Sequence, residues 1–223
     1  YKFIFLKTEK TAGTSMEIAL SRFCGEQDII TPITPEDEIM RRNLGYRGPQ
    51  NYLIPFSDYS FGDYLCFLVK RERKRFYNHI TAREVKKIIG DQIWDSYYKF
   101  CFERNPWDRV MSLYYWRYKH EPRPDLSRFI DSKRLVSLKK RGYAVYTIDD
   151  NIVADRVCLF ENLANEVEAI SGILGFPEKL KLPRAKSSYR SDKRHYRDIL
   201  TNSDKKKIEQ IFSKEIALFG YEF

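Results

Sequence analysis

The chain of 223 residues carries 40 Lys and Arg against 31 Asp and Glu, a net charge of +9, with 16 Tyr and 15 Phe. That length suits one α/β domain with a full core, and the aromatic bulk excludes a disordered chain. No run of 18 apolar residues is present to span a membrane. Residues 181–207 hold ten basic and three acidic residues, and residues 70–75 (KRERKR) hold five and one. The charge therefore forms two patches rather than a coat, which fits a specific anionic ligand better than nonspecific polyanion binding.

Residues 1–8 (YKFIFLKT) predict a buried strand, followed by a helix from about Thr14 to Cys24 on the spacing of Met16, Ala19, Leu20 and Phe23. Residues 25–62 are irregular, with one short helix after Thr34-Pro35-Glu36. Residues 63–69 (DYLCFLV) fit either a strand or a buried helix. Thr81 and Glu84 form a capping-box pattern opening a helix that Gly90 ends. Residues 97–103 (YYKFCFE) predict an aromatic strand, and Asn105-Pro106 starts a helix running to about Lys119. Residues 122–150 are weakly patterned, with helical turns near 125–131. A strand at 156–160, a helix at 162–174 and a C-terminal helix at 203–219, striped by Ile208, Ile211, Phe212 and Glu215, complete the chain. This alternation predicts a single α/β domain over residues 1–223. Its central sheet is mainly parallel, helices lie on both faces, and the ligand site is at the strands' C-terminal ends.

Cys24, Cys66, Cys101 and Cys158 have no metal-ligand spacing, so no metal is expected. Cys66, Cys101 and Cys158 lie in apolar runs and read as core residues. Without a disulfide framework or a leader pattern, a cytoplasmic protein of bacterial or viral origin is expected, with a Golgi-lumenal domain trimmed of its membrane anchor as the alternative. The chain begins with Tyr1, so residues upstream can be missing.

Lys10-Thr11-Ala12-Gly13-Thr14-Ser15 falls between the first strand and the first helix. Backbone N–H groups there and the helix N-terminus can hold a phosphate. Gly13 lets the backbone approach closely, and Lys10 adds a mobile charge. The segment is not GxxxxGK[ST], because Lys precedes Gly. A capped helix with a solvated Lys is the plain alternative.

In the second segment, FCFERNPWDRVMSLYY (100–115), Arg104 ends a strand and Ser112 lies eight residues on, inside the next helix. Arg104 can grip a second phosphate, with Ser112 adding a hydroxyl. Arg109 reads as a brace paired with Asp108 or another carboxylate.

KTAGTS after strand one and RNPWDRVMSLYYW after a later strand together resemble the sulfotransferases that use 3′-phosphoadenosine-5′-phosphosulfate (PAPS). The likeness is greatest to their carbohydrate-type branch, which includes heparan sulfate 2-O-sulfotransferase. The resemblance implies a P-loop-like fold, with the first segment on the 5′-phosphosulfate and Arg104 and Ser112 on the 3′-phosphate. It implies PAPS as donor, 3′-phosphoadenosine-5′-phosphate (PAP) as product, and a hydroxyl acceptor on a small molecule or glycan. It also carries a loop over the nucleotide onto Lys186, Ser187, Ser188, Tyr189 and Arg190. Relatives often have Pro where Glu9 stands.

Of the three His residues, His79 alone matches the branch's proposed base, and imidazole has a suitable pKa for taking a hydroxyl proton. A capping or packing His is its structural alternative. Glu103, at a strand end, is the second candidate base. Glu17 reads as a first-turn helix residue, His120 as a helix C-terminal contact and His195 as solvated. Three rival functions remain, one of them a sulfotransferase-like domain that has lost activity and only binds an anionic partner. A P-loop kinase of a nucleoside or sugar would need GK[ST] and Mg²⁺ ligands. A nucleic-acid-binding module would use the 181–207 patch, but no nucleic-acid motif supports it.

Overall fold

Apolar strands at the chain's start and middle meet side by side in the computed structural model, which describes residues 1–183, 192 and 194–223. The first half of the chain comprises β1 (Phe3–Leu6), α1 (Gly13–Ser21), α2 (Pro35–Asn43), α3 (Phe61–Lys70), α4 (Ala82–Ile89), α5 (Asp91–Ser96) and β2 (Tyr98–Glu103). The second half comprises α6 (Pro106–Arg117), α7 (Leu126–Ile130), α8 (Lys133–Lys140), α9 (Tyr143–Tyr146), the hairpin β3 (Thr147–Ile148) and β4 (Asn151–Ile152), β5 (Arg156–Leu159), α10 (Leu163–Ile173), α11 (Asn202–Ile211) and α12 (Ser213–Phe219).

The main sheet is parallel, in the order β1-β2-β5, with Leu6 opposite Cys101 and Cys101 opposite Val157. Strand β2 is central and covered on both faces, which explains its near-continuous apolar sequence. Successive side chains alternate faces. Phe100 and Phe102 pack with Met16 and Leu20 of α1 and Val167 and Ile170 of α10. Cys101 points the other way, against Val85 of α4, Trp94 of α5 and Tyr146 of α9. The expected α/β architecture, with a parallel sheet between helices, is therefore present. Beyond the sheet, Trp107, Val110, Met111 and Tyr114 of α6 form a further core with α7, α8 and α11.

Several expectations change. Helix α1 ends at Ser21, short of Cys24. Residues 63–69 are neither a strand nor a buried helix: α3 has no buried residue, and Cys66 is exposed rather than in the core. Residues 122–150 contain three helices, whose short apolar stripes gave no long period. Helix α5, of six residues, was likewise too short to read. The C-terminal helix is two helices, because Phe212 leaves helical geometry (φ −104°, ψ 25°) while its ring enters the core beside Ile208.

Candidate functional site

The loop between β1 and α1 is tied down from below. Thr8 donates its hydroxyl to the carbonyl of Phe102 on β2, and the Thr8 and Thr11 hydroxyls lie 2.7 Å apart. Thr11 is thus buried in the turn, with its side chain facing inward. Above these threonines the backbone is strained, with Lys10 at φ 67° and Ala12 at φ 61°. Left-handed geometry at non-glycine residues persists only where the surroundings impose it. Alternating left-handed residues turn successive N–H groups toward one side, and the first turn of α1 has N–H groups without intrahelical partners. Among the described residues, no side chain caps α1.

Gly13 has a local reason as well. A Cβ there would sit 2.8 Å from Cγ of Lys7 and 3.3 Å from the carbonyl oxygen of Thr8. The stem of Lys7 therefore runs over the space a larger residue would need. Thr14 and Ser15, the last two residues of the predicted anion loop, form the first turn of α1.

The second segment grips this loop from the side. Arg104 Nη1 donates to the Lys10 carbonyl at 3.1 Å, and its Nε and Nη2 donate to Asp108 Oδ2 at 2.9 and 2.6 Å. Its guanidinium lies 4.0 Å from the ring centre of Phe160. Arg109 Nε donates to the Glu9 carbonyl at 2.8 Å, and its Nη1 meets Glu103 Oε1 at 2.8 Å. Arg109 is thus the expected brace, but its carboxylate is Glu103, because Asp108 is already taken by Arg104.

Tyr146 donates to the other oxygen of Glu103 at 3.0 Å. Burial first, then the Glu103 charge, pushes the Tyr146 phenol far above its ordinary range. Glu103 is fully buried with both oxygens engaged, so it is sequestered from an incoming substrate. Glu9 is neutralised by Arg141, whose Nε lies 2.6 Å from its carboxylate. The acid at this position is paired rather than turned at a ligand.

Ser112 is half-buried on α6, on the i+4 stripe shared with Asp108 and Trp116. The ammonium of Lys10 lies 5.0 Å from the ring centre of Trp116, a cation–π distance. Lys10, Arg104 and the Ser112 stripe therefore gather between the loop and α6. Lys186, Ser187, Ser188, Tyr189 and Arg190 lie outside the described residues.

His79 lies on the other side of the loop's base. It too has a left-handed backbone, at φ 65°. Its Nδ1 is 2.9 Å from the carbonyl oxygen of Lys7. That oxygen can only accept, so Nδ1 carries the hydrogen and Nε2 holds the lone pair in the neutral ring. Burial lowers the imidazole pKa to about 4, outweighing the backbone hydrogen bond that raises it. The ring is neutral at pH 7. His120 lies past the end of α6 at Arg117 and is exposed. His195 is exposed, as expected, and accepts from Arg197 N.

Lys7 and Asn78 beside His79 escaped the sequence reading, and Glu17 was read only as a helix residue. Lys7 Nζ bonds Glu17 Oε2 at 2.5 Å and Asn78 Oδ1 at 2.6 Å, while Thr31 donates to Glu17 Oε1 at 2.7 Å. Glu17 lies within α1, beyond its first turn, and also faces the buried Arg41 at 3.4 Å. A charged residue at the end of an apolar strand, here Lys7, was the available signal. His79, Asn78, Lys7 and Glu17 line the polar end of a cavity of about 290 Å³ that follows β1 toward Tyr1 and Tyr97.

An uncharacterized protein of Archaeoglobus fulgidus is 29% identical over 104 residues, covering 45% of this chain and 87% of that protein. No solved structure matches significantly. A family model described as "Sulfotransferase family" matches residues 1–222, a span that includes both clasped segments, and the chain belongs to that family of transferases.

Proposed function

We propose that this sulfotransferase moves the sulfuryl group of PAPS to a hydroxyl, on a carbohydrate as the sequence resemblance implies. The observation carrying the reading is the bond from Arg104 to the carbonyl of Lys10, which joins the two phosphate-type segments into one rim. In this reading the N–H groups of Thr11, Ala12, Gly13, Thr14 and Ser15 receive the 5′-phosphosulfate. Arg104 and Ser112 receive the 3′-phosphate, and Lys186 to Arg190 belong to the covering loop. Anchoring the donor at two points uses remote binding energy to set an in-line geometry.

The acceptor oxygen forms its bond to sulfur as the bond from sulfur to the phosphate oxygen breaks. The hydroxyl proton passes to Nε2 of His79, and the electron pair leaves on the phosphate of PAP. Lys10 offsets the charge developing on that oxygen. The bond from Nδ1 to Lys7 fixes the tautomer this role needs, and a neutral ring at pH 7 is competent to accept a proton. Glu103 is set aside as base because it is buried and bonded to Arg109 and Tyr146.

PAP titration of the wild-type chain and of Arg104→Ala, together with a PAPS turnover assay on His79→Asn, tests this reading. Loss of affinity in the first variant and loss of turnover alone in the second support it. PAP binding that ignores Arg104 contradicts the donor site.

A further inference from the structure

Helix α3 exposes apolar side chains that the donor site does not use. Phe61 is 80% exposed, Leu65 48%, Leu68 60% and Val69 81%. They fall on one outward face, while Phe67 on the opposite face packs on Ile54, Tyr59 and Phe76. The helix is built to stay folded in that position. Ser60 and Asp63 close a capping box at its start. Lys74 Nζ reaches back to Asp63 at 2.8 Å, and Lys74 N–H bonds the Tyr59 hydroxyl at 2.6 Å. Arg73 lies over the Phe56 ring at 4.7 Å. The basic run 70–75 is thereby pinned beside the apolar face, with Lys70, Arg71 and Arg75 exposed.

We propose that α3 and the adjoining basic run dock this protein on an anionic lipid membrane. The apolar face would enter the headgroup boundary, and Lys70, Arg71 and Arg75 would meet the anionic headgroups. Charge and apolarity side by side favour this occupant. A two-fold contact between copies would set the basic run of one copy near its image in the other. A dissolved polyanion would use the charges and leave four large apolar side chains in water.

The test is cosedimentation with vesicles of phosphatidylcholine alone and of phosphatidylcholine mixed with phosphatidylglycerol. The expected result is binding to the mixed vesicles only, weakened by salt. Arg71→Asn and Arg75→Ser should each lower the partition about fivefold. Phe61→Ser with Val69→Ser should abolish it; these side chains are exposed, so the melting temperature should hold. Val69→Trp should shift its emission to the blue on the mixed vesicles. The proposal is overturned by absence of binding to either vesicle, or by equal binding to both. It is also overturned by a dimer in analytical ultracentrifugation that Phe61→Ser with Val69→Ser dissolves. PAP titration of the same variants reads the donor site separately.

Discussion

Arg104 donates to the carbonyl of Lys10 at 3.1 Å across 94 residues of sequence, and Arg109 donates to the preceding carbonyl, that of Glu9, at 2.8 Å. Two arginines of one segment thus hold two consecutive carbonyls of the other. This clasp, with the bond between Glu9 N–H and the Arg141 carbonyl, keeps Lys10 and Ala12 in left-handed geometry. The loop is set before a ligand arrives, which lowers the ordering cost of binding.

If the proposed function holds, loss of Arg104 should act twice, by removing a donor to the 3′-phosphate and by loosening the loop. Arg104→Ala should weaken PAP binding by about 10- to 100-fold, the range for a charged hydrogen bond. Ser112→Ala should cost less, since it removes one neutral hydroxyl. Calorimetric titration with PAP measures both.

His79 makes a prediction about pH. Its folded pKa of about 4 lies below the ordinary 6.5, so the imidazole is already deprotonated at neutral pH. The acid limb of kcat/KM should fall near the lower value, with a flat profile between about pH 6 and 8. A limb centred near 6.5 would count against burial as the controlling factor. His79→Asn, which tolerates left-handed backbone, should lower turnover by about 100-fold or more. Its PAP affinity should stay close to wild type.

Gly142 tests the brace beneath the clasp. A Cβ there would lie 2.5 Å from both terminal nitrogens of the buried Arg109, whose Nη1 is held by Glu103 and whose Nε is held by the Glu9 carbonyl. Gly142→Ala should lower stability by about 1–3 kcal/mol, the usual cost of overpacking. PAP affinity should fall with it. Thermal melts with and without PAP follow both effects.

Glu215 makes stability depend on pH in a direction unusual for a carboxylate. It is fully buried, and burial raises its pKa from 4.5 to about 7. Between these values the folded chain holds a proton that the unfolded chain has released. Its contribution is therefore present at low pH and is lost as pH rises toward 7. Glu215→Gln should melt like wild type near pH 5 and at a higher temperature above pH 7. Equal melting at both pH values would show that the buried carboxylate is solvated or paired.

The legible parts of this protein are those where one local signal sufficed. The apolar run of β2, the Thr81–Glu84 capping box and the Asn105-Pro106 start all appear where their chemistry predicts. That Lys10 and Arg104 would lie together was readable because each stands where a strand hands over to a helix, and the structure brings them into contact. Lys7 and Asn78 were not readable, and Glu17 was read only as a helix residue, because their network joins positions up to 71 residues apart and no spacing rule connects them. The pairing of Arg109 was half-legible: its bracing role followed from position, but the choice of Glu103 over Asp108 depended on Arg104 claiming Asp108. Helix α3 eluded the sequence for the opposite reason, since an apolar segment is read as core until its surroundings are known.

In the proposed function the Lys10 loop and Arg104 form one donor site. Calorimetric titration of the wild-type chain with PAP, repeated with Arg104→Ala, tests it most directly. The expected result is one PAP per chain and a large loss of affinity in the variant. Absence of PAP binding by the wild-type chain, or equal affinity in both proteins, would contradict it.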